Sequence, residues 1–213
     1  MVENIYVYLK KEFFRWKIEV LEHRYLLLLS VLFLIIAEVI NYFSGVYTNR
    51  VGAAVSPDLI LDYIPPIDLG FLFVYGFMFI LAVLAIYPLF FKPKKLHEVI
   101  SHVSFLLMVR AIFICFTHLK VPVGAIMKDF PGWLSAFSFQ NDLFFSGHTA
   151  VPFLGFLLFH DSKIKYFFLV GSIIMGMTVL FMHVHYSIDV FSAFFIAYGC
   201  YKFGEWLFGK VEE

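Results

Sequence analysis

Charge is scarce in this chain, and what there is cancels. Only 15% of its 213 residues are Asp, Glu, Lys or Arg, and the formal net charge is zero. No bulk field is therefore available to gather nucleic acid. Cysteine is nearly missing: Cys115 and Cys200 both lie inside apolar runs, which leaves neither a disulfide framework nor a zinc spacing. Both read as small buried apolar side chains. Internal repeats, low-complexity linkers and lipidation motifs are also lacking. Residues 1–24 carry mixed charges, and the apolar run after them is too long for a signal-peptide core, so no cleavable leader is expected.

What the chain has instead is apolar surface. Hydrophobic residues make up 62%, and mean hydropathy is +0.86. Those values predict an all-α, integral multi-pass membrane protein. Six runs approach the length needed to cross the bilayer: Tyr25–Phe43, Gly70–Phe91, Val99–Leu119, Ser146–Phe159, Ile164–Met182 and Ser187–Phe208. The fourth is short and is expected to begin near Phe145, partly shielded by the others. The expected organisation is an interfacial amphipathic segment at 1–24, one six-helix domain at 25–208 and a tail at 209–213. In the first segment Ile5, Leu9, Phe13, Trp16 and Val20 recur at helical spacing, opposite Lys10, Lys11, Arg15 and Lys17. A cytoplasmic extension of the first span is the alternative. Asp129–Gln140, with Pro131, Trp133, Phe137 and Phe139, reads as a second interfacial segment.

The basic residues orient the bundle. Lys10, Lys11, Arg15, Lys17 and Arg24 precede the first span. Lys92, Lys94 and Lys95 follow the second, Lys163 and Lys165 the fourth, and Lys202 and Lys210 sit near the end. The alternate loops hold only Arg50, Lys120 and Lys128. The positive-inside rule then makes both termini cytoplasmic and turns Asp142–His148 and His185 toward the exoplasmic side. The compartment would be the cell membrane in a prokaryote, and the Golgi or plasma membrane in a eukaryote.

Two strings on that side carry chemistry: Asp-Leu-Phe-Phe-Ser-Gly-His-Thr at 142–149 and His-Val-His-Tyr-Ser-Ile-Asp-Val at 183–190. His185 and Asp189 are four apart, so on a helix they share a face. A carboxylate on one ring nitrogen fixes the tautomer and aims the other nitrogen as a nucleophile. A structural His–Asp pair at a helix start is the alternative. Ser146-Gly147 before an apolar run is an N-cap arrangement whose free amides, with Thr149 in the first turn, suit an anion. His148 would then sit beside that anion as a proton donor and acceptor. Arg110 lies inside the third span, where a guanidinium needs a polar partner. A phosphate would serve, and so would an ion pair with Glu38 in the first span. Asp142, His183 and Tyr186 are candidates for a supporting shell.

Ser146-Gly147-His148-Thr149 followed by His185-Tyr186-Ser187-x-Asp189-Val190 resembles the type 2 phosphatidic acid phosphatase (PAP2) superfamily, and within it the sphingomyelin synthase branch. Asp142 before the first string, Arg110 with Thr117 and Val121-Pro122, and Pro65-Pro66 with Asp68 extend the likeness from about residue 60 to the last run. Gln140 and Asn141 stand where that branch carries Cys-Gly, Val184 stands where an acid is common, and the Pro-Pro motif is incomplete. These departures bear on headgroup and acceptor. The plain phosphatase branch has an Arg-Pro motif, and here no arginine precedes a proline.

The resemblance implies a lipid phosphotransferase that needs no cofactor and no metal. His185 would attack the phosphorus of a phospholipid, and His148 would protonate the departing oxygen. A ceramide-type or diacylglycerol-type hydroxyl would then take the headgroup from the phosphohistidine. With water as acceptor the same site is a phosphatase or a phospholipase C. A non-catalytic lipid transporter, a haem protein using His148, His160, His183 and His185, and a serine hydrolase using Ser146 are the other readings the residues allow. The residues do not fix an oligomeric state.

Overall fold

The computed structural model describes residues 14–51 and 54–209, and among them the fold is all-helical, with no strand and one isolated bridge between Ala54 and Leu119. Residues 14–22 are helical (α1) and a turn at His23 separates them from α2, Arg24–Val51. A π-helical turn, Leu72–Gly76, leads into α3, Phe77–Phe91. Next come α4, Leu96–Phe116, α5, Gly147–Leu158, α6, Lys165–Phe181, and α7, Ser187–Gly209.

Each of the six apolar runs is a helix, but they are unequal. Arg24–Val51, Leu72–Phe91 and Pro93–Phe116 are long and apolar enough to cross a membrane; Gly147–Leu158 and Lys165–Phe181 are shorter apolar helices. α5 has 12 residues, a rise of only about 18 Å against roughly 30 Å of hydrocarbon. α7 is 23 residues long and carries Asp189, Lys202 and Glu205.

α5 lies at the centre, packed on α6 and α7 and touched by α3 and α4. Phe145, Leu154, Leu158 and Phe159 meet Phe168 and Met175 of α6 and Ala193 and Ala197 of α7 in one apolar core. The α5–α6 approach is close enough to need a glycine, because a Cβ on Gly155 would come within 2.7 Å of the Phe168 ring. α2 instead packs chiefly on α4 and leaves its other faces open.

Of the expected surface-lying N-terminal helix, Ile5, Leu9, Lys10, Lys11 and Phe13 fall outside the described residues. From residue 14 onward the segment is fixed to the bundle by Trp16, whose indole N–H donates to the Leu89 carbonyl at 2.6 Å. Half of the segment expected at Asp129–Gln140 is a short 3₁₀ helix, Gly132–Phe137, with Trp133 exposed, and the rest is irregular.

Candidate active site

The second string folds as a turn feeding a helix. His183 has a positive φ of 56°, which breaks the chain direction after α6, and α7 starts at Ser187. His185 therefore stands just ahead of the helix and Asp189 in its first turn. His185 Nδ1 donates to Asp189 Oδ2 at 3.1 Å, and the Tyr186 amide donates to the same oxygen at 3.0 Å. A carboxylate only accepts, so Nδ1 carries a proton, and in the neutral ring the lone pair is on Nε2. Asp189 is fully buried and His185 is 6% exposed.

The first string opens α5. Ser146 occupies the N-cap position with extended backbone angles, but its hydroxyl makes no cap bond and is buried without a hydrogen-bond partner among the described residues. The expected cap is thus one of position, not of side chain. The Ser146 carbonyl receives the amides of Thr149 and Ala150, at 3.2 and 2.9 Å. The Ser146 amide donates to the carbonyl of Asp189 at 2.9 Å, which ties the two strings together directly. Thr149 points away from the site: it is fully buried, and a Cβ on Gly176 of α6 would lie 3.4 Å from its Oγ1.

Arg110 comes from the last third of α4 and is 8% exposed. One guanidinium nitrogen, Nη2, donates to both the carbonyl and Oδ2 of Asp142, each at 2.8 Å. The ion pair is therefore with Asp142, not with Glu38. Gly147 lies under the guanidinium, since a Cβ there would be in van der Waals contact with Arg110 Nε at 3.4 Å. Nε has no hydrogen-bond partner among the described residues.

Arg110, Asp142, Gly147, His148 and His185 line one cavity of about 160 Å³. The His148 ring is held between aromatics, with centroids 4.2 Å from both Phe73 and Phe77. Those two residues are four apart across the π-helical turn, which brings both onto the imidazole. His148 Nε2 has no hydrogen-bond partner among the described residues.

His183 and Tyr186 do not line the cavity. The His183 nitrogens face the carbonyls of Val123 and Ile64, each at 3.1 Å. A carbonyl only accepts, so the neutral ring bonds one of them and the imidazolium both. The Tyr186 hydroxyl donates to the Lys120 carbonyl at 2.9 Å and accepts from the Ser56 amide at 3.0 Å. Thr117 Oγ1 donates to the Leu143 carbonyl at 2.7 Å. These residues fasten the connecting loops around the two strings.

Sequence reasoning missed Asp58. Its carboxylate accepts from the Ser187 amide and hydroxyl, at 2.7 and 2.6 Å, and from the amides of Ile60 and Leu61, at 2.9 and 3.0 Å. It thus caps α7 from a loop 129 residues away. Burial pushes the carboxyl up, but the Ser187 and backbone hydrogen bonds outweigh it and hold Asp58 below the usual carboxylate range. Ser56-Pro57-Asp58 reads only as a turn, and nothing local marks its distant partner. Asn49 was missed likewise: its Oδ1 accepts from the amides of Gln140 and Asn141, at 3.1 and 3.0 Å, just ahead of Asp142. Lys128, paired with Asp68 at 2.8 Å, also lines the cavity.

Residues 141–206 match the family described as PAP2 superfamily C-terminal. The matched stretch begins one residue before Asp142 and takes in both strings, α5, α6 and most of α7. No curated protein matches the chain.

Proposed function

We propose that this chain is an integral membrane lipid phosphotransferase of the sphingomyelin synthase kind. It would move a phospho-headgroup from a phospholipid to a lipid hydroxyl through a phosphohistidine on His185. One arrangement carries the reading: His185, buttressed by Asp189, shares a cavity with His148, Arg110 and the start of α5. The match at 141–206 supports phosphate-ester chemistry on lipids.

In the first step His185 Nε2 attacks phosphorus as the bond to the diacylglycerol oxygen breaks. His148, taking up a proton once the anionic phosphate lies beside it, gives that oxygen its proton. Asp189 stabilises the positive charge growing on His185. In the second step an acceptor hydroxyl gives its proton to His148, its oxygen attacks phosphorus, and the P–N bond breaks. Arg110 and the amides of Gly147 and His148 offset charge on the transferring group, since amides at a helix start have no acceptor within their own helix. Asp142 holds the guanidinium in place for this role. The chemistry uses imidazole and guanidinium groups and calls for no metal.

The proposed topology has six spans, both termini in the cytoplasm and the cavity open to the exoplasmic side. α5 would complete its crossing inside the protein, with its polar first turn shielded by neighbouring helices. A cysteine replacing exposed Trp133 should react with an impermeant maleimide added outside intact cells.

The decisive assay supplies purified protein with a phospholipid labelled in its headgroup, with and without ceramide or diacylglycerol. Transfer predicts labelled lipid product that requires the acceptor, and an acid-labile phosphoenzyme absent from His185→Ala. Release of free headgroup phosphate regardless of acceptor would make the enzyme a hydrolase. Full turnover by His185→Ala would remove the nucleophile assignment.

A further inference from the structure

A second cavity, about 640 Å³ in volume, lies between α2 and α7 with α4 as its floor. It belongs to the opposite end of the bundle from His148 and His185. Along α7, Glu205 is 18 residues beyond Ser187, a rise of about 27 Å, close to the thickness of the hydrocarbon layer. α2 and α7 both pack on α4 and meet each other at the Phe33–Phe208 ring pair, centroids 6.2 Å apart, so the crevice is bounded by all three helices and flanked by the exposed apolar side of α2.

The walls and the floor differ in chemistry. Leu29, Phe33 and Ile36 of α2 and Phe208 of α7 make apolar walls suited to acyl chains. The floor holds the carboxylates Glu98 and Glu205 and the imidazole of His102, and no lysine or arginine is among the described lining residues. Glu205 already accepts from the Tyr201 hydroxyl and from Lys202, the latter at 2.7 Å, so the floor offers acceptors without a bare double negative charge. His102, 1% exposed, faces the carbonyl of Glu98 with Nδ1 at 2.9 Å. A carbonyl only accepts, so Nδ1 donates; the other edge of the ring is packed against Gly204 of α7, where a Cβ would come within 2.6 Å of Nε2. A phosphate would meet the carboxylates of Glu98 and Glu205, with Lys202 already engaged by Glu205 and His97 the other basic group beside them, at a high desolvation cost. A hydroxyl would find carboxylate acceptors there, Glu98 foremost.

We infer that this crevice binds an uncharged lipid with a free hydroxyl head, of the diacylglycerol class, in the membrane leaflet opposite the candidate active site. Its volume lies in the range of small-molecule sites, and its mix of apolar wall and few polar groups is the usual one. The inference rests on the lining of the crevice and not on the phosphotransferase reading.

The test uses the full-length protein in phosphatidylcholine nanodiscs with a diacylglycerol carrying a diazirine in one acyl chain. Saturable photolabelling is expected, mapped by peptide mass spectrometry to residues 26–36, 97–102 and 205–208. Unlabelled diacylglycerol should compete, while phosphatidic acid and a long-chain amine should compete at least tenfold less well. Leu29→Trp, at a position 57% exposed, fills the crevice mouth without touching the core and should lower labelling about tenfold. Labelling that never saturates, that maps elsewhere, or that phosphatidic acid or the amine displaces equally well would overturn the assignment. None of these readouts needs turnover, so a failed phosphotransferase reading leaves the result interpretable.

Discussion

α2 runs 28 residues with only 11% of its most apolar stretch buried, whereas α5 runs 12 residues and has seven of them buried. Both are apolar, yet only α5 carries candidate site residues. Ser146, His148 and Thr149 at the start of α5 would be costly on a helix facing lipid. Surrounded by α3, α4, α6 and α7, they are screened from lipid, and His148 meets two aromatic faces and a small cavity. The long helix is fitted to its solvent, and the short one to its neighbours. Hydropathy therefore locates the membrane and says little about the site.

The sharpest break in that comparison comes from the cavity itself. His185→Ala should lose phosphoenzyme and turnover altogether, and His148→Ala should lower turnover by about 10³-fold, as read by headgroup transfer. Asp189→Asn should keep the fold but free the wrong tautomer of His185, for a loss on the order of 10³–10⁴-fold in kcat. Equal activity in wild type and Asp189→Asn would reduce the pair to a structural role.

Packing changes come next. Gly155→Leu forces a side chain into the Phe168 ring and should destabilise the bundle by about 1–3 kcal/mol, measured by thermal aggregation in detergent. Asp58→Ala should cost about 1 kcal/mol through loss of the α7 cap. The sign of its pH dependence follows from the carboxyl lying below its ordinary range when folded. That contribution is complete above the unfolded value near 4 and fades as pH falls through the lower folded value. Asp58→Asn should therefore lack the acid-side loss seen in wild type; an unchanged acid limb would show that Asp58 does not set it. At the small end, Leu28→Ala on α2, at a position 65% exposed, should shift stability by no more than about 0.5 kcal/mol. A larger loss would mean that α2 is covered by something other than lipid.

Most of the helical architecture was legible in the chain, because apolar runs in lipid must satisfy their own backbone and so become helices. The His185–Asp189 pair was legible from its spacing too, although His185 stands ahead of α7 and the turn into the helix, not a shared helix face, brings the ring to the carboxylate. The fate of Arg110 was not: Glu38 and Asp142 were both available in sequence, and the ion pair formed with Asp142. Nor was the part played by Thr149, which packs toward α6, or by His183 and Tyr186, which fasten loops.

By itself the sequence determined that this is a helical membrane protein with two histidine-bearing strings at helix starts, because composition and local spacing act within a few turns of chain. Only the tertiary structure decided that α4, α5 and α7 bring Arg110, His148 and His185 to one cavity, that Phe73 and Phe77 clamp the second of these, and that Asp58 caps α7. Those contacts join residues tens to more than a hundred positions apart, and no local periodicity encodes which distant acceptor a buried donor will meet.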